Sequence, residues 1–217
     1  MMRDRSNFEA GKLLSLTGRL IRLNAMRAIL ALAVLTAGGL AIDLYAEDPV
    51  RMGWILGILQ FGFQYVMTGE LLADLDRRAT EAGGIGSFFL VTLLTWLGIM
   101  VGLVLLIIPG VILAVRWSMA GPTILAEPVG ITGAFNKSWE ATKDHFWPIF
   151  VVLIATIVPT TIGMIAIFIE PVEARHVPAL LVYNIGINIG LILGWHAAVA
   201  IYIAAEPQPK RLEEIFA

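Results

Sequence analysis

Apolar runs long enough to cross a bilayer follow one another almost without pause along this chain, and they leave it few ways to fold. A helix rises about 1.5 Å per residue, so crossing about 30 Å of hydrocarbon takes about 20 apolar residues. Five runs meet that length, at about 25–45, 52–70, 85–108, 146–169 and 178–205. A shorter sixth, at about 110–126, follows Pro109-Gly110. Backbone amides in lipid must be satisfied internally, so each run reads as a helix. The expected fold is all-α: a single polytopic membrane domain over residues 1–217 with six transmembrane helices.

Composition agrees and excludes several classes of function. Of 217 residues, 58% are hydrophobic and 15% charged, where soluble domains carry roughly 25% charged residues. Cysteine is absent, so neither a disulfide framework nor a thiolate metal site can form. Histidines occur only at 145, 176 and 196, too scattered for a metal motif on spacing alone. No metal and no cofactor is expected. A net charge of −2 argues against nucleic acid as a partner, because such binders need a basic surface.

Lysine and arginine placement orients the spans. Arg3, Arg5, Lys12, Arg19, Arg22 and Arg27 precede or open the first run. Arg77-Arg78, Lys137, Lys143 and Lys210-Arg211 fall on the same side when all six runs cross. The other side holds only Arg51 and Arg175, among Asp43, Glu47, Asp48, Glu170 and Glu173. Both termini are therefore expected in the cytoplasm, with the chain in a bacterial inner membrane. The leader is long for a secretory n-region, and "DLYAEDP" after the first run offers no small-x-small cleavage site, so an uncleaved first span is expected.

Three cytoplasmic segments look amphipathic and predict interfacial helices. In "GKLLSLTGRLIRLN" Leu13, Leu16, Leu20 and Leu23 recur at helical spacing opposite Lys12, Arg19 and Arg22. In "ELLADLDRRATEAGG" the apolar side is Leu71, Leu72, Leu75 and Ala79, with Gly83-Gly84 as the stop. In "GITGAFNKSWEATKDHF" Ile131, Phe135, Trp139 and Phe146 share a face. Thr17, Leu20, Arg22 and Asn24 of the first match Ser138, Ala141, Lys143 and His145 of the third. That match fits an internal repeat, and equally the general need of multi-span proteins for amphipathic connectors.

Arg116 stands inside the sixth run, about 9 Å from Gly110 along a helix axis. A bare arginine in hydrocarbon costs at least about 2.5–3.5 kcal/mol, so it should face protein or water. Asn184, Asn188, Gln60, Thr160 and Thr161 reach similar depth and form a candidate polar layer around it. Two uses compete: a structural role, snorkelling or pairing with Asp43 or Glu170, and contact with an anion or lipid phosphate. Glycines at four-residue spacing, most specifically Gly186, Gly190 and Gly194, predict close helix packing by the last span.

From residue 108 to 146 the chain resembles a known family. Ile108-Pro109-Gly110, Leu113, Arg116-Trp117, Ala120, Pro122 and Glu127, then Gly130, Ala134, Ser138-Trp139, Thr142-Lys143 and Phe146, are similar to the signature of the glycerophosphoryl diester phosphodiesterase membrane domain. Some members carry a separate catalytic barrel, which needs about 200 residues or more. The spans here consume nearly the full chain, so the resemblance implies the membrane part alone and no phosphodiesterase activity.

Catalysis needs a nucleophile and base, or paired carboxylates, within reach. Glu70, Glu127 and His196 lie near span ends that could meet, but span-end acids are usually solvated. The expected role is a non-catalytic module that binds membrane lipids or partner proteins, a second copy among them, in envelope homeostasis. The alternative is a small transporter or channel for an amphiphilic or anionic solute, since Pro159 and Pro109-Gly110 could make discontinuous helices.

Overall fold

The computed structural model describes residues 8–169 and 177–206. Among them every regular element is helical: α1 (Ala10–Leu23), α2 (Ala25–Tyr45), α3 (Pro49–Asp74), α4 (Ile85–Leu105), α5 (Ile107–Arg116), α6 (Ala120–Ala126), α7 (Ile131–Thr142), α8 (Phe146–Ile169) and α9 (Val177–Ala205). Six segments are long and apolar enough to cross a membrane, and α5 with α6 makes one of them, Ile107–Ala126. The chain is thus a multi-pass membrane protein by length and composition, with large apolar side chains such as Ile29, Ile58, Trp96, Val104 and Ile162 exposed on the outside of the bundle.

Alternate connections fall at one end. Arg27 at the start of α2 reaches Glu70 (3.2 Å) and Asp74 (3.1 Å) at the end of α3. The 77–84 loop is tied to α6, with Ala79 N donating to Ala126 O (3.0 Å) and Gly83 N to Ile124 O (2.8 Å). Lys137 of α7 pairs with Glu206 beyond α9 (3.2 Å), and Phe8 stacks on His145 (3.9 Å). We call this the basic end. The largest core cluster gathers near it, with Leu13, Leu20, Leu72, Phe88, Met119, Leu125, Ile149 and Ile201 all within 1% of full burial.

Two of the three amphipathic segments are separate helices. In α1, Leu13, Thr17 and Leu20 are buried, while Leu23 is exposed rather than part of the packed face. In α7 the inward face differs from expectation: Ala134, Ser138, Ala141 and Thr142 are buried, whereas Trp139 is exposed. Small residues let α7 lie close against the break between α5 and α6, and the aromatic side chains flank that contact.

The middle segment forms no helix of its own. Leu71 and Leu72 are buried as its pattern demands, but they belong to the last turns of α3, which ends before Gly83-Gly84. The stop is Asp76, held at φ 50°. Arg77 N donates to Leu72 O (2.7 Å) and Asp76 N to Ala73 O (2.9 Å), the paired bonds of a Schellman cap. Aspartate tolerates the left-handed region better than most residues, so it fills a place more often taken by glycine.

Candidate functional site

The site begins with a proline. In a helix the ring of Pro122 would collide with the carbonyl of Ser118 and leave it without an N–H partner. The span responds by breaking at residues 117–119 and restarting as α6, where Pro122 sits in a first turn and costs little. The break leaves the Arg116 carbonyl without its usual helical donor. Ser138 Oγ of α7 supplies it at 2.7 Å, and Thr142 Oγ1, whose shorter bond runs to Ser138 O (2.8 Å), stands 3.3 Å from the same carbonyl. Ser138 Oγ also accepts from Met119 N at 3.4 Å, so one hydroxyl serves both sides of the break.

Aromatic side chains close the sides. Trp117 fits a notch at Gly98, where a Cβ would lie 3.0 Å from its Cη2, and its ring meets Phe135 at 4.8 Å. The Arg116 guanidinium lies over the Trp139 ring, 5.4 Å from its centroid, in cation–π contact. Its Nε and Nη1 are buried and have no hydrogen-bond partner among the described residues.

Glu127, at the far end of α6, is held by Lys137 (2.6 and 2.7 Å) and by the Tyr202 hydroxyl (3.0 Å). Gly110 lies against α4, where a Cβ on Gly102 would come 2.7 Å from its Cα. The residues quoted for the sequence resemblance, Pro109, Gly110, Arg116, Trp117, Pro122, Glu127, Ser138 and Trp139, thus line one broken span and the helix folded back against it. No family profile, curated protein or solved structure matches this chain.

The polar layer expected around Arg116 is divided between two places. Asn184 Nδ2 donates to Asp43 Oδ2 (2.7 Å) and to Leu180 O (2.9 Å). Asn188 Nδ2 donates to Asn184 O (2.9 Å) and Thr36 Oγ1 (3.4 Å). The bonds to Asp43 and Thr36 join α9 to α2, and none of the four reaches Arg116. Thr160 packs against Gly190, Thr161 is exposed and bonded to its own helix at Ile157 O (3.1 Å), and Gln60 is partly buried on α3. Asp43 is engaged by Asn184, and Glu170 lies outside the described residues.

Gly186 and Gly190 lie against α8, while nothing comes within 4 Å of a Cβ on Gly194. Glu70, Glu127 and His196 do not bond to one another. Glu70 pairs with Arg27, Glu127 with Lys137, and His196 Nδ1 with Ile192 O (2.7 Å). Ser138 and Thr142 were present in the sequence pattern, but nothing there marked them as caps. The available signal was Pro122, whose carbonyl clash at i−4 predicts a break and therefore a carbonyl in need of a donor.

Proposed function

We propose that this chain is a non-catalytic membrane module that holds an anionic lipid headgroup at Arg116. It would sit in a bacterial inner membrane with both termini cytoplasmic, as the membrane part of the family that residues 108–146 resemble. The observation that carries the reading is the pair of buried, unpartnered nitrogens on Arg116 beside the exposed Trp139. A buried donor without an acceptor costs about 1–3 kcal/mol, and more on a charged group. The carboxylates that could have answered it are engaged elsewhere, Asp43 by Asn184 and Glu127 by Lys137 and Tyr202. A phosphate oxygen arriving from the lipid along Trp139 supplies the missing acceptor, and the planar fork of arginine suits it.

Transport has less support. Between the Thr36–Asn188 contact and Asn24, α2 and α9 are filled by Ala28, Ala31, Leu35 and Ile192, none more than 7% exposed. Mass spectrometry of lipids retained after mild detergent purification tests the headgroup reading. Arg116→Lys keeps the charge but loses the fork, and Arg116→Gln loses the charge. Both are expected to lower co-purified anionic lipid while the bundle stays folded. Wild-type retention in both variants overturns the proposal.

A further inference from the structure

At the basic end, the turn after α3 and the end of α9 flank an open cavity of about 350 Å³. Its walls carry Asp76, Arg77, Arg78, Glu127, Tyr202 and Glu206. We propose that this cavity is a second binding site, selective for phosphate groups and independent of Arg116.

The argument rests on which donors and acceptors are already in use. Both Glu127 oxygens accept from Lys137, and one also accepts from Tyr202. Glu206 Oε1 lies 3.2 Å from the same ammonium, and the Glu206 carbonyl accepts from Arg77 Nη1. The carboxylates on that wall are thus largely answered. The arginines are not. Among the described residues, Arg77 bonds to the Glu206 carbonyl, and Arg78 bonds to the Tyr65 hydroxyl (3.2 Å) while lying over its ring. Each guanidinium has five N–H donors, so most of both sets remain available. Arg78 is exposed, and no donor of Arg77 is both buried and unpartnered, so the remaining donors open to the cavity or to solvent.

The walls are fixed before any ligand arrives. The Schellman cap at Asp76 sets the direction of Arg77 and Arg78, and Ala79 N on Ala126 O ties the loop to α6. Arg77 and Arg78 both line the cavity, so two guanidinium groups on a tied loop offer donors to the several oxygens of a phosphate group. Cavities of roughly 300–1,000 Å³ hold small molecules, so there is room for a phosphate and the group it esterifies. The carboxylate of Asp76 at the rim opposes an anion and sets a ceiling on affinity.

Phosphate of this kind comes from a soluble compound or from a lipid headgroup, and two arms separate the sources. In the first, inorganic phosphate is titrated into the detergent-purified full chain while thermal unfolding is followed. In the second, unfolding is compared in nanodiscs of phosphatidylcholine alone and with phosphatidic acid added. Stabilisation is expected in at least one arm, and which arm identifies the source. The double variant Arg77→Lys, Arg78→Gln keeps a donor for the Glu206 carbonyl and loses both forks. Its half-saturating concentration is expected to rise at least about tenfold. Both arms are repeated with Arg116→Gln, which lacks the headgroup contact proposed above: the stabilisation that remains there, and that the Arg77 and Arg78 changes remove, belongs to this site. No stabilisation of the wild type in either arm overturns the proposal. So does stabilisation that the double variant retains in full, or that Arg116→Gln abolishes.

Discussion

Gly186 of α9 faces Gly163 of α8 so closely that a Cβ on Gly186 would stand 2.9 Å from the Gly163 Cα. One turn on, a Cβ on Gly190 would stand 2.9 Å from the Thr156 carbonyl oxygen. Both obstacles are backbone and cannot rotate away. Without a hydrophobic drive between helices in lipid, such backbone approach is a main source of packing energy. Gly186→Leu and Gly190→Leu are each expected to cost about 1–3 kcal/mol. That lowers detergent-state Tm by about 2–4 °C per kcal/mol for a chain of this length. Gly194→Leu meets open space and should melt as wild type. Equal losses at all three positions would assign the effect to side-chain size rather than to the α8–α9 contact.

The break at residues 117–119 makes a different prediction, because a second hydroxyl stands within reach of the carbonyl that Ser138 serves. Ser138→Ala leaves Thr142 Oγ1 at 3.3 Å from the Arg116 oxygen, and Thr142→Val leaves Ser138 Oγ at 2.7 Å. Each single loss should cost about 1 kcal/mol, while removal of both strands a buried carbonyl and should cost more than the sum. Strict additivity in a double-mutant cycle would show that water or another group already serves the carbonyl.

How much of this was legible beforehand depends on the length scale. Spans reveal themselves because lipid imposes a fixed length and an apolar composition, and both are properties of one segment at a time. The bounds expected for residues 25–45 and 146–169 coincide with α2 and α8 for that reason. The 70–84 segment was misread because Leu71, Leu72 and Leu75 are buried in either conformation, so periodicity could not distinguish a new helix from the end of α3. The αL aspartate that decided the matter lacks the glycine signature of a helix stop. The Arg116 surroundings were hidden for another reason. Depth along a helix is readable from sequence, but azimuth is not, and Asn184 and Asn188 turn toward α2.

The cap on α3 can be tested directly. Asp76 sits at φ 50°, where a β-branched side chain is strained. Asp76→Ile should destabilise by about 1–2 kcal/mol, and Asp76→Asn, which tolerates the same region, should lie close to wild type. Equal stability of the isoleucine variant would mean the turn readily adopts another form.

The last prediction concerns sidedness, and the structure changes where it should be measured. Gly110 is buried against α4 and Lys137 is tied to Glu127, so neither suits a labelling reagent. Glu47, Arg78 and Lys143 are exposed and serve instead. The chain has no cysteine, so each single-cysteine variant reports one position on an empty background. Arg78 and Lys143 belong to the same end, because the 77–84 loop bonds to α6 and the α7–α8 connection follows at that end. They must therefore label alike, whatever the orientation. On the orientation proposed above, from the excess of lysine and arginine, that end faces the cytoplasm. A membrane-impermeant maleimide applied to intact cells should modify position 47 and spare 78 and 143, which become reactive once the membrane is opened. External labelling at 78 and 143 with protection at 47 would invert the orientation. Labelling that splits 78 from 143 would mean that α5 and α6 do not together cross the bilayer.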